Sequence, residues 1–222
     1  MVFDDEFSGS TLDLSKWEPG WFWQSGNPYT QHIADGEGEC FSQNNITVAN
    51  GEADLNLIAG TCPASAGTSA GFPYIGAAMT TRTRFTFTYG IAETRVWFPG
   101  ANVTLSENWD GFWLNGLPVS GREEYDVAES LGNHLCFHLN PGSVSGGCNG
   151  SVAISGGWHV FSILWDATGA TVKYDLFQIG RITTTPYKAP MYIIFQNATH
   201  GTTGVTAPSL IRVDYVRIFQ TQ

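Results

Sequence analysis

Apolar and polar side chains alternate in short runs along most of this chain, and clusters of turn-forming residues separate the runs. Alternation with a period of two puts one set of side chains on each face of a strand. No segment carries a helical period over more than about two turns. The 222 residues therefore predict an all-β fold, two antiparallel sheets packed as a sandwich, in one domain covering residues 1–222. Residues 45–48, an Asn50-Gly51 turn and residues 53–58 read as a hairpin. Residues 84–89 read as a strand, and residues 160–165 and 170–176 flank a turn at 166–169. Residues 191–195 are apolar throughout, as in a strand covered on both faces. Residues 59–76, rich in Gly, Ala, Ser and Pro, read as a loop within the domain, and no internal repeat is present.

Charge narrows the partners. A formal net charge of −10 argues against nucleic acid and anionic membranes, and weakens the case for a sulfated or uronic-acid polymer. No run approaches the ~18 apolar residues of a membrane span, and Met1 leads at once into strand-like acidic sequence. We expect a mature secreted domain, with a cytoplasmic start as the alternative. Four cysteines without CxxC spacing favour disulfides in an oxidising compartment. Three pairings are open; the local one, Cys40–Cys62 with Cys136–Cys148, is favoured over the others and over four reduced thiols. Sequons at Asn45, Asn102, Asn149 and Asn197 would permit glycosylation in a eukaryotic source. The 14 Phe, 8 Trp and 8 Tyr suit either a sandwich core or a sugar-binding cleft.

The most unusual stretch runs from Arg122 to Ser130. It places Glu123, Glu124, Asp126 and Glu129 around apolar Val127 and Ala128, in a chain only 14% charged. Residues on both sides read as strand, so these acids need partners or a function to offset lost hydration. Glu124 and Asp126 share a face, whereas Glu129, five positions after Glu124, falls on the other face of a regular strand. One β-bulge between Asp126 and Glu129 returns it to the first face. The two glutamate α-carbons would then lie roughly 13 Å apart at ~3.3 Å per step, with side chains long enough to converge. Retaining glycosidases use two carboxyls about 5–5.5 Å apart, one as nucleophile and one as acid/base. Asp126 between them could separate their proton affinities, and Glu123 should face away toward Arg122.

The pattern Glu124-x-Asp126-x-x-Glu129 resembles the catalytic signature of glycoside hydrolase family 16 in the bulged form of laminarinases, agarases and carrageenases. The similarity runs along the chain: residues 3–17 resemble that family's opening, residues 85–96 its middle strands, and residues 158–165 and 213–218 its last third. The resemblance implies a jelly roll with a concave substrate cleft, with Glu124 as nucleophile, Asp126 as assisting acid and Glu129 as acid/base. It implies a polysaccharide partner, no cofactor for catalysis, secretion, and action as a monomer. Trp109 and Trp113 match the family's Trp-x-x-Phe-Trp segment and are candidate cleft rings, as is one of Trp21 and Trp23 in the N-terminal loop. His138 and Gln196 are candidate cleft polar groups, each with a purely structural role as the alternative. A structural calcium, common on the family's convex side, would draw on Glu6, the Gly51 carbonyl and Asp214. Two departures touch substrate recognition: Leu117-Pro118-Val119-Ser120-Gly121-Arg122 precedes the motif, and Ala78 stands where laminarinases usually carry an arginine. The expected activity is endo-hydrolysis of a neutral β-1,3- or β-1,3-1,4-glucan. Transglycosylation at the same intermediate and sugar binding without catalysis are the alternatives.

Overall fold

The computed structural model describes residues 1–99, 107–118, 123–131, 134–139, 144–146, 156–183 and 187–220. They form two sheets packed face to face, the sandwich expected from the alternation and the jelly roll that the resemblance implies. One sheet runs in the order Ile46–Ala49, Glu52–Ala59, Ser209–Phe219, Gly90–Phe98, Gly157–Asp166, Gly169–Tyr174, Phe177–Ile182, with Phe3–Asp5 also paired to Ser209–Phe219. The other runs Tyr74–Thr80, Met191–Thr199, Asn108–Gly116, Glu124–Leu131, His134–Leu139, Val144–Gly146. Pairing is antiparallel except where Glu39–Ser42 runs parallel to Tyr74–Thr80, a departure from two purely antiparallel sheets.

The alternation is obeyed where it was clearest. In Glu52–Ala59 the side chains of Ala53, Leu55 and Leu57 are fully buried while their neighbours are not. In Ser209–Phe219 a register shift between Val213 and Tyr215 lets Ile211, Val213, Val216 and Ile218 all face the core, despite the odd offset from Val213 to Val216. The hairpin forms as expected: Asn50 and Gly51 both take positive φ, 57° and 81°, which a two-residue primed turn requires. Every residue of Met191–Thr199 is buried. Met191, Ile193 and Phe195 enter the inter-sheet core, while Tyr192, Ile194 and Ala198 pack under Trp21, Phe41 and Trp113 on the opposite face. The opening residues are bound in the same way. Trp17 is fully buried between Phe3, Phe7 and Phe195, and its indole N–H donates to Asp5 at 2.7 Å. Truncating such a ring typically costs about 3–5 kcal/mol.

Two expectations are corrected, the strand at 84–89 and the availability of two sequons. Residues 84–89 are irregular rather than a strand, save one bridge between Phe87 and Met191. Arg84 and Phe85 donate backbone N–H bonds back to the Thr81 carbonyl, which closes a turn, and the rings of Phe85 and Phe87 stack in the core. The Asn197 sequon is fully buried, with its amide donating to the Leu55 carbonyl, and the Asn45 amide donates to the Asn56 and Ile75 carbonyls. Neither amide is free for a glycan. Asn102 and Asn149 lie outside the described residues. Cys40 and Cys62 are joined as favoured, whereas Cys148 of the other pair lies outside the described residues.

Behind the acid-bearing strand lies a buried acid of another kind. Asp110 and Asn197 sit opposite each other in register, and each has a side-chain Oδ1 without a hydrogen-bond donor. Burial pushes the Asp110 carboxyl up to about 7, so the folded protein keeps there a proton that the unfolded chain releases near the ordinary value of 3.8. That contribution to stability is present in full below the unfolded value and is lost as pH rises through about 7. Asp110→Asn should therefore raise the melting temperature at pH 8 relative to pH 5 by a few degrees, as read by calorimetry at the two pH values. An unchanged difference would show that the buried acid carries no such proton.

Candidate active site

The acidic strand adopts the kink its spacing required. Glu124 pairs with Asn115, Asp126 with Trp113 and Glu129 with Gly111, and the register shifts between Asp126 and Ala128. The neighbour on the other side records the same shift, with Asp126 opposite His138 and Glu129 opposite Cys136. Tyr125, Val127 and Ala128 are fully buried in the inter-sheet core. Glu124, Asp126 and Glu129 emerge together on the opposite face, into an open cleft whose empty space, its mouth included, is about 460 Å³. The core-facing apolar residues hold the strand down, and the extra residue turns Glu129 over.

Strands beside the acids build the floor. Trp109, Gly111 and Trp113 alternate outward from Asn108–Gly116, and Gln196 comes from Met191–Thr199. The Trp113 indole donates to Gln196 Oε1 at 3.2 Å, which fixes both. The Trp109 indole donates to Glu129 Oε1 at 2.9 Å, and His138 Nδ1 is bonded to Glu129 Oε2. Asn115 donates to Glu124 at 3.4 Å. Glu129 is thus held from both sides, while Glu124 has one long hydrogen bond among the described residues.

Three carboxyls facing one cleft cannot all ionise freely. Burial, then the charges of Glu129 and Glu124, pushes the Asp126 carboxyl well above the ordinary carboxylate range. Burial, then the Glu129 charge, raises Glu124, with the Asn115 hydrogen bond opposing. The hydrogen bond to Glu129 raises His138 above its ordinary value. The arrangement can therefore keep a carboxylate and a proton-bearing acid side by side, the electrostatic prerequisite for paired acid and nucleophile chemistry. Asp126, Glu129 and His138 also place potential metal-ligand atoms within 4.8 Å of one another.

Other sequence candidates fare unevenly. Trp109, Trp113 and Gln196 line the cleft, and His138 meets it through Glu129. Trp21 is placed otherwise: its buried ring stacks on Trp113 at 6.1 Å and borders a second depression with Phe22, Gln24 and Asn27. The Trp23 indole donates to the Asn27 carbonyl within its own loop. Ala78, at the position of the absent arginine, is buried beside Trp21 and Trp113. In the calcium set the Glu6 carbonyl lies beside Gly51, and the two carboxylates face arginines. Glu6 is gripped by Arg217 at 2.7 and 2.9 Å, and Asp214 by Arg95 at 2.7 Å, so each carboxylate already faces a guanidinium. Missed altogether were Ile33, Ala34 and Glu37, which form one wall of the cleft. The only sequence signal there was the string Glu37-Gly38-Glu39, which reads as an ordinary surface loop.

No family model matches the chain. A curated relative, glucan endo-1,3-beta-glucosidase A1 of Niallia circulans, is 24% identical over 280 aligned positions that take in the whole chain. The chain spans 38% of that relative's length. Among solved structures, the laminarinase catalytic domain of Thermotoga maritima MSB8 superposes with a TM-score of 0.77 at 20% identity, covering 100% of this chain and 98% of that one. SCLam, a non-specific endo-beta-1,3(4)-glucanase of glycoside hydrolase family 16, gives 0.73 at 22% identity, covering 100% and 91%. These likenesses establish the shared fold and support the family resemblance read from the sequence.

The geometry makes its own demand on titration. In an NMR pH titration of the imidazole signals, His138 should titrate above its ordinary 6.5, and Glu129→Gln should lower its midpoint toward that value. A His138 midpoint unmoved by Glu129→Gln would show that the two groups are not coupled.

Proposed function

We propose that the protein is an endo-acting, retaining glycoside hydrolase of laminarinase type, cleaving a neutral β-glucan with β-1,3 or mixed β-1,3-1,4 linkages. The observation that carries the reading is the bulge after Asp126, which leaves Glu124, Asp126 and Glu129 together in a tryptophan-floored cleft. Glu124 attacks the anomeric carbon, and Glu129 gives its proton to the departing glycosidic oxygen. Glu129 then takes a proton from water, whose oxygen displaces Glu124 and leaves the anomeric configuration unchanged overall. Asp126, its carboxyl pushed upward by burial and by the two glutamates, favours its protonated form and so adds no further charge beside them. Trp109 and His138 orient Glu129. No cofactor enters the scheme.

A pyranose presents apolar C–H faces and a hydroxyl rim, which suits the indoles of Trp109 and Trp113 and the amide of Gln196. The relatives' activities, endo-1,3-beta-glucosidase and endo-beta-1,3(4)-glucanase, support the substrate class. The net charge of −10 favours a neutral polymer over an anionic one. The Cys40–Cys62 bridge is compatible with secretion, and no helix among the described residues is long and apolar enough to cross a membrane.

Glu124→Gln should lower the release of reducing ends from laminarin by at least about 10³-fold while leaving fold and oligosaccharide binding intact. The same assay on mixed-linkage glucan, agarose, carrageenan and xyloglucan ranks the substrates. Turnover by Glu124→Gln at near the parent rate would reject the mechanism, and binding without new reducing ends on any polymer would leave only a sugar-binding protein.

A further inference from the structure

The cleft contains a second pair of carboxyls that the mechanism does not use. Glu37, in the loop between Thr30 and the Glu39–Ser42 strand, lines the cleft beside Ile33 and Ala34 and is only 5% exposed. Its Oε2 accepts the Ile33 backbone N–H at 2.6 Å. Directly behind it Glu39 is fully buried, and its Oε2 accepts from the Thr199 hydroxyl at 2.6 Å, the Thr199 N–H at 3.0 Å and the Gly38 N–H at 3.2 Å. Its other oxygen, Oε1, has no donor. Neither carboxyl has a cationic partner among the described residues.

Two buried carboxyls in contact, with no cation, hold one proton between them. The three donors on Glu39 Oε2 stabilise its ionised form. Burial raises both carboxyls, so the proton belongs to the pair, and the donors on Glu39 Oε2 favour placing it on Glu37. Burial and the Glu39 charge push Glu37 up to about 9. Among the described residues, the charge that acts on Glu37 is that of Glu39 behind it, and the other titratable groups lining the same cleft are Glu124, Asp126 and Glu129. A fourth carboxylate in this space would raise the proton affinities of the acids across from it; a neutral acid does not.

We propose that Glu37, sharing its proton with Glu39, is a specificity-determining residue that presents an uncharged carboxyl to the hydroxyl rim of a neutral sugar in the cleft. This rests on the hydrolase reading for its substrate class, but its test does not need turnover. With its proton directed at Glu39, Glu37 accepts hydrogen bonds from sugar hydroxyls, flanked by apolar contact from Ile33 and Ala34. Thr199, at the end of a floor strand, fixes Glu39 and through it the wall against the floor.

The experiment uses the Glu124→Gln protein, which should bind without cleaving, and measures the Kd of a short β-1,3-gluco-oligosaccharide by calorimetry between pH 7 and 10. Adding Glu37→Ala should weaken binding about ten- to a hundredfold at pH 7. Adding Glu37→Gln instead should restore most of the affinity, because the amide N–H₂ can donate to Glu39 Oε1 as the acid does. It should also remove the loss of affinity that the Glu37 protein shows above pH 9. Binding within twofold of the parent for Glu37→Ala, or parallel alkaline losses for Glu37 and Glu37→Gln, would overturn the assignment. So would failure of any neutral oligosaccharide to bind. Residual turnover by Glu124→Gln would count against the mechanism alone and leave the Kd comparison standing.

Discussion

One additional residue between Asp126 and Glu129 does more to define this molecule's chemistry than any other local feature. Without it, the face that carries Glu124 and Asp126 would lose Glu129 to the sandwich core, among Tyr125, Val127 and Ala128. An unpaired carboxylate there would cost several kcal/mol. The bulge thus solves two problems together: it keeps charge out of the apolar layer and it gathers three acids at one cleft. The core enforces the arrangement, since any slip of register would exchange buried apolar residues for acids.

A second theme is how the protein holds acids without cations. Lysine and arginine number 10 against 20 aspartates and glutamates, and the arginines placed by the fold serve elsewhere: Arg95 with Asp214, Arg217 with Glu6, Arg212 with Asp54, Arg82 with Glu18. The cleft and the layer behind it use protons instead. Asp126, Asp110 and Glu37 are all pushed upward chiefly by burial. Neutralising by protonation leaves a group that can still donate a hydrogen bond, which suits a site meant for an uncharged, hydroxyl-rich ligand. An arginine in the same space would offer only donors. The absence of one at Ala78, where a small buried side chain packs beside Trp21 and Trp113, fits the same pattern.

Much of this was legible in one dimension. Alternation marked the strands of both sheets, because period-two patterning survives whenever one face is buried and the other is wet. It misled at residues 84–89, where the inward rings of Phe85 and Phe87 mimic a strand while the backbone turns on the Thr81 carbonyl. The place of Trp21 was not legible, because a tryptophan in a loop has the same letter whether it meets a sugar or props another ring. The arginine partners of Glu6 and Asp214 were invisible for a similar reason, since 211 positions separate Glu6 from Arg217 and 119 separate Arg95 from Asp214.

What the sequence determined by itself was the set of local periodicities: strand faces, the primed turn at Asn50-Gly51, and the odd spacing that makes a bulge necessary. These depend on neighbours a few bonds apart, so their physics is written in adjacent letters. Only the tertiary structure decided which groups meet. It set Trp109 and His138 on Glu129, Trp113 on Gln196, and Glu37 and Glu39 opposite the acidic strand with Thr199 behind them. Hydrogen-bond partners and proton affinities depend on distances through space and on exclusion of water, and a linear chain has neither until its sheets have closed.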